Sequence, residues 1–147
     1  MAEIVGNNAR IINVEIISFF PDYCGASPPA LDSGDPHDRD CPELVSLIPG
    51  DSNRPYDMVK AIKATVDDGH FVELFPMYAE NIVIGLARLG SHPIGIIANQ
   101  PKVLAGCLDI DSSIKAARFI RTCDAFNIPL LSFVDVPGFL PGTEQEH

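Results

Sequence analysis

The sequence predicts an α/β domain, helices packed on a sheet, over residues 56–147. Three observations predict it. Apolar residues recur at helical spacing in two stretches. Short β-rich runs lie between and after those stretches. A segment dense in proline and aspartate, 21–55, separates all of this from the N-terminus and reads as a linker.

The elements follow in order. Residues 1–20 form an unplaced N-terminal segment or the end of a preceding domain. The linker 21–55 holds seven of the thirteen prolines, Pro21, Pro28, Pro29, Pro36, Pro42, Pro49 and Pro55. Proline removes backbone donors and fixes φ, so this stretch should hug the surface and not build a core. Tyr56–Asp68 reads as a helix. Met58, Val59, Ile62 and Val66 share its inner stripe, Asp57 caps it and Gly69 stops it. Phe71–Phe75 alternates as a short strand. Ile82–Leu89 and Ile94–Ala98 form two strands around a hairpin turn at Gly90-Ser91. Asp111–Phe126 reads as a second helix, with Asp111 as cap and Ile114, Ala117 and Ile120 facing inward. Leu130–Val136 is a nearly continuous apolar run, the pattern of a buried parallel strand. A loop rich in glycine and proline follows, Pro137–Gly142. The sequence ends at His147 without a closing helix, and the expectation is a piece of a larger protein.

Composition limits the function. Of 147 residues, 46% are hydrophobic and 20% charged, as in a globular chain. The net charge of -10 disfavours nucleic acid and anionic membranes as partners. No apolar run is long enough to span a bilayer. The first twenty residues carry Glu3, Glu15 and a single arginine, Arg10, unlike a secretory signal. The cysteines, Cys24, Cys41, Cys107 and Cys123, form no C-x-x-C pair and point to no metal site. Cys107 and Cys123 lie in apolar surroundings and read as small hydrophobes.

No G-x-S-x-G, P-loop or dinucleotide-type glycine run is present. The histidines, His37, His70, His92 and His147, fall in the linker, at turns or at the terminus, where a general base is not expected. Asp109 and Asp111 flank a helix start and read as caps. Three segments stand out: Ile96–Pro101, a strand entering a polar turn; Leu104–Asp111, a small-residue loop feeding a helix; and Val134–Gly142, a loop after a strand end. Open α/β sheets place ligands at such ends. From its residues alone, Gly106 is either an ordinary turn residue or a main-chain donor to an anionic oxygen.

Six motifs occur in a recognisable order: PYDM at Pro55–Met58, YAENIVIGLARL at Tyr78–Leu89, ANQP at Ala98–Pro101, LAGCLDID at Leu104–Asp111, KAARFIRTCDAFNIPLL at Lys115–Leu131 and VDVPGFLPGTEQE at Val134–Glu146. Together they resemble the opening of the C-terminal domain of biotin-dependent acyl-CoA carboxyltransferases, of the propionyl-CoA carboxylase type more than the methylcrotonyl-CoA type. The linker, with Cys24, Cys41 and the stretch Asp35–Leu44, departs from that pattern.

The resemblance implies a crotonase-type fold, a spiral of β-β-α units, here incomplete. It implies transfer of CO2 from N-carboxybiotin to the α carbon of propionyl-CoA or a similar short acyl-CoA. Released biotin then takes the α proton, so no protein base is required. It implies biotin carried by a partner carboxyl-carrier domain, a biotin carboxylase subunit as further partner, a hexameric homo-oligomer and no metal in this subunit. By motif position, Asn99, Gln100, Gly106, Cys107, Pro137, Gly138 and Phe139 would stand on the biotin-side wall. No catalytic residue is assigned, because the family's glycine-rich donor segments match nothing in this chain. The expected place is the cytoplasm in a bacterium and the mitochondrial matrix in a eukaryote. Two other readings stand beside this one: a non-catalytic truncated paralogue docking on full-length subunits, and another crotonase-fold acyl-CoA enzyme such as a hydratase or isomerase.

Overall fold

A computed structural model describes residues 13–36, 38–51 and 54–142. The expectations for residues 1–12, His37 and His147 lie outside the described residues. The centre of the fold is a four-stranded sheet in sequence order: β1 (Phe71–Leu74), β2 (Ile82–Leu89), β3 (His92–Asn99) and β4 (Leu130–Phe133). β1–β2 and β2–β3 pair antiparallel, and β3–β4 pair parallel. The hairpin turn falls at Gly90-Ser91, as the sequence predicts. Both residues have positive φ, the twist that a tight two-residue hairpin requires. The Asp67 carboxylate accepts from both of their N–H groups, at 2.9 and 2.7 Å, and fixes the turn.

Helices cover both faces. α1 (Glu43–Leu47) lies in the linker, and its Leu44 and Leu47 pack against the core, so the linker does contribute to it. α2 (Met58–Thr65) is capped by Asp57, whose side chain accepts from Val59 N–H. It is shorter than Tyr56–Asp68, because the chain turns extended at Val66 and closes with a 3-10 turn, Asp67–Gly69. Met58, Ala61, Ile62 and Val66 pack on Val83, Ala87, Ile94, Ile96 and Ala98 of the sheet.

α3 (Ile110–Ala125) covers the opposite face, where Phe119, Cys123 and Ile128 meet Ile84 and Leu86. Phe19 joins this cluster and is fully buried. The Arg88 guanidinium lies 4.4 Å above its ring, and His70 stacks on it. Residues 13–17 are helical beside it. The two faces follow from strict alternation along β2 and β3. Two positions in this hairpin admit no side chain. A Cβ at Gly95 would reach Cys123 Sγ at 2.7 Å, and one at Gly85 would strike the Val72 carbonyl and the Phe71 ring.

Two expectations about α3 are corrected. Its cap is Asp109, not Asp111. Asp109 accepts from Ser112 N–H while Ser112 Oγ accepts from Asp109 N–H, a reciprocal box that Asp111 has no partner to make. Ile114 and Ile120 do not face inward; they are 40% and 41% exposed, and Ser112, Lys115, Phe119 and Cys123 are the buried positions. The inner stripe passes over Gly95, where little room remains, and over a backbone turn that needs a polar partner. β4 is parallel, as expected, but stops at Phe133 and is half-exposed, because it forms the sheet edge among the described residues.

Candidate functional site

The three segments singled out in the sequence converge at one end of the sheet. β3 ends at Asn99, and Asn99 fixes both neighbours. Its Nδ2 donates to Gly106 O at 3.1 Å, and its Oδ1 accepts from Asp135 N–H at 3.3 Å. The loop after β4 then runs beside the loop before α3. Leu108 N–H donates to Gly138 O at 3.0 Å, and Leu140 N–H donates back to Leu108 O at 2.8 Å. Gly106 sits at the crossing. Its φ is +77°, and a Cβ there would stand 2.7 Å from Asp135 O. The residues before it, Leu104 and Ala105, also take positive φ, unusual for side chains of their kind. Three successive left-handed residues turn the chain sharply enough to lay 104–107 against 135–138.

A second anchor comes from the start of α2. Gln100 Oε1 accepts from Met58 N–H at 3.2 Å, and its Nε2 donates to Asp57 Oδ1 at 3.0 Å. Lys102 Nζ reaches Asp57 Oδ2 at 3.0 Å. Burial alone would raise the Asp57 carboxyl, but the bonds from Lys102, Gln100 and Val59 N–H hold it below the ordinary range. Tyr56 Oη donates to Asp135 Oδ2 at 2.8 Å, tying α2 to the loop after β4. Burial, then the Asp135 bond and charge, push the phenol up to about 12.

The predicted residues divide into two kinds. Asn99, Gln100 and Gly106 are buried and spend their polar groups on holding loops together. Pro137 lines an open cavity of about 570 Å³ with Tyr56, Pro101, Lys102, Ala105 and Asp135. Phe139 is 70% exposed and lines a different cavity of about 440 Å³ beside the start of α3. Gly138 supplies the carbonyl that Leu108 meets. Cys107 is half-buried, and its carbonyl accepts from Asn81 Nδ2 at 2.8 Å.

Sequence reasoning missed Asn81, Lys115, Tyr56 and Asp135. Asn81, 2% exposed, joins the β1–β2 connection to the loop before α3. Its own carbonyl accepts from Gln100 N–H at 2.9 Å. Lys115, 3% exposed, donates to three backbone carbonyls. An asparagine before a strand or a lysine in a helix carries no sign of such a role. All four lie inside the six motifs, Tyr56 in PYDM, Asn81 in YAENIVIGLARL, Lys115 in KAARFIRTCDAFNIPLL and Asp135 in VDVPGFLPGTEQE, and that membership is the signal the sequence offers.

Known proteins share this fold and much of this sequence. The family model described as "Carboxyl transferase domain" matches residues 7–147. The methylmalonyl-CoA decarboxylase subunit alpha of Veillonella parvula is 55% identical over 131 residues, covering 89% of this chain and 26% of that protein. The mitochondrial propionyl-CoA carboxylase beta chain of Sus scrofa is 53% identical over 133 residues, covering 90% of this chain and 25% of that protein. The chain thus spans about a quarter of the length of the curated relatives it matches. A solved structure of the transcarboxylase 12S hexamer, with methylmalonyl-CoA and methylmalonic acid bound, superposes with a TM-score of 0.89 at 41% identity, covering 94% of this chain and 26% of that one. A single-chain, multi-domain long-chain acyl-CoA carboxylase gives 0.70 at 37% identity, covering 74% and 11%. The fold is of the crotonase type, a part of its spiral of β-β-α units. With a family model matched from residue 7 to residue 147 and the fold shared at 41% identity, this chain belongs to the carboxyl transferase domain family.

Proposed function

We propose that this chain supplies part of the biotin-side wall of an acyl-CoA carboxyltransferase subunit, and that it is inactive alone. In this reading 21–55 is a linker and 56–147 the first part of the C-terminal carboxyltransferase domain. The reaction is transfer of CO2 between N-carboxybiotin and propionyl-CoA or a similar short acyl-CoA. One observation carries the reading: the polar turn after β3, the loop before α3 and the loop after β4 are laced together at one end of a sheet of this family. The names of the two relatives describe opposite directions of one exchange, carboxylation of propionyl-CoA and decarboxylation of methylmalonyl-CoA.

The residues present fit biotin in part. The cavity of about 570 Å³ is wide enough for a bicyclic urea, with Tyr56 and Asp135 as polar groups beside Pro101 and Pro137. Bound there, N-carboxybiotin would supply the CO2, and the biotin left after its release would supply the base for the α proton. This chain's own residues then hold shape: Asn99 and Gly106 fix the loop, Gln100 and Asp57 fix its base, and prolines keep it stiff. Acyl-CoA would be held by other parts of the assembly, since a chain of net charge -10 is a poor partner for its phosphates. A carboxyl-carrier domain, a biotin carboxylase subunit and a hexameric assembly complete the proposal. The compartment is the mitochondrial matrix in a eukaryote and the cytoplasm in a bacterium.

The test is carboxyl transfer from a carboxylated carrier domain to radiolabel-traced propionyl-CoA. The chain alone should give no turnover, and robust turnover would overturn the claim of inactivity. Hydration of an enoyl-CoA by the chain would favour another crotonase-fold enzyme instead. Co-purification with intact subunits without gain of activity would favour a docking paralogue.

A further inference from the structure

Among the described residues, the buried charges outside the candidate site include Asp67, Arg88 and Lys115. Lys115 lies on the inner stripe of α3, 3% exposed. Its ammonium donates to Tyr78 O at 2.6 Å, Ile82 O at 2.8 Å and Ala79 O at 3.2 Å. Three donors meet three carbonyls, which is all an ammonium can offer. Tyr78 and Ala79 lie in the β1–β2 connection, and Ile82 opens β2. Phe75 and Ala79 in that connection both take positive φ, at 51° and 45°, so the turn is held in a shape the chain would not choose. Burial lowers the Lys115 pKa, while Glu73 and Glu80 oppose the fall.

The turn leads directly to Asn81, two positions past Ala79 and fully enclosed. Its side chain donates to Cys107 O, and its carbonyl accepts from Gln100 N–H. Asn81 therefore grips both ends of the 100–107 loop at once. Burial alone would raise the Asp109 carboxyl, but the bonds from Ser112 and then from the Asn81 amide hold it below the ordinary range. Tyr78 Oη, in the same turn, donates to Asp111 Oδ1 at 2.9 Å.

We propose that Lys115 is a positioning residue: its ammonium sets the shape of the 75–82 turn, and through Asn81 that turn sets the 100–107 loop of the candidate site. The proposal rests on the carboxyltransferase reading only for what the loop serves, and the linkage itself is testable without activity.

Cysteine chemistry gives the readout. With Cys24→Ser and Cys41→Ser as background, two thiols remain. Cys107 is half-buried in the loop, and Cys123 is fully buried in the core. Cys123 therefore reports global opening and Cys107 reports the loop. Lys115→Met should raise the Cys107 alkylation rate about tenfold, on the scale of lost bonds to a charged donor, with Cys123 still protected. Lys115→Arg, which keeps a charged donor, should return the rate to within about threefold of the parent. Asn81→Ala should raise the Cys107 rate similarly, and adding Lys115→Met to it should raise the rate no further. An unchanged Cys107 rate in Lys115→Met with Cys123 protected overturns the proposal, as does full additivity with Asn81→Ala. Should Lys115→Met label both thiols together, Asn81→Ala decides: no change in its Cys107 rate sinks the idea. Failure of carboxyl transfer in the assembled enzyme would overturn the function and leave these rates standing.

Discussion

Replacing Gly106 by alanine separates two costs that usually arrive together. Gly106 has φ +77°, and a Cβ would lie 2.7 Å from Asp135 O. Gly34 has φ +73°, and its Cβ would meet nothing within 4 Å. Both substitutions carry the left-handed backbone penalty, about 1–2 kcal/mol for an L-residue. Both regain roughly 0.4–1 kcal/mol by restricting the unfolded chain. Gly34→Ala should therefore lose less than about 1.5 kcal/mol. Gly106→Ala must also move a carbonyl that is not free to move. The Asp135 N–H is held by Asn99 and its carboxylate by Tyr56. Overpacking of this kind adds about 1–3 kcal/mol, for a total near 2–4 kcal/mol. A chain of this size loses roughly 2–4 °C of midpoint per kcal/mol. Gly106→Ala should melt about 5–12 °C below the parent, and Gly34→Ala less than about 5 °C below it. Circular dichroism melts on the three proteins, checked by urea titration, read the difference. Equal shifts for the two variants would refute the crowding at Asp135.

Three further outcomes follow from the packing and the charges. Phe19→Ala should destabilise by about 3–5 kcal/mol in urea titrations, because the ring is fully buried beneath the Arg88 guanidinium. Burial pushes the Cys123 thiol up to about 11, so the unfolded chain ionises first. Stability from this group is complete below about pH 9 and lost as pH rises toward 11; Cys123→Ala should flatten that fall in urea midpoints measured across the window. Tyr56→Phe should remove the phenol that titrates near 12 from an ultraviolet titration and cost about 1 kcal/mol through its lost bond to Asp135.

The sequence makes the strands and the hairpin legible because alternation and turn chemistry are local. Ile82–Leu89, the Gly90-Ser91 turn and the parallel run at Leu130 are where the pattern puts them. α3 is the instructive error. Two acids three and one positions ahead of Ser112 can each start a helix, and only the reciprocal bond with Ser112 selects Asp109. Its isoleucines suggested an inner face, yet the packed stripe includes a lysine and a serine. That choice is tertiary: the helix must come close over Gly95 and must supply a cation to three carbonyls. The convergence of the site segments was foreshadowed by their glycines and polar ends. The grip of Asn81 on two distant backbone groups was not, since nothing in a linear pattern tells which amide will find which carbonyl.

Gly85 and Gly95 stand on adjacent strands and face opposite sides of the sheet, each beneath atoms that a single methyl would strike. The hairpin is therefore thinnest at its middle, where its letters look least informative. A saturation scan should find less tolerance at these two bare positions than at the large isoleucines around them. An engineer wishing to stiffen this protein should leave the emptiest part of its strands alone.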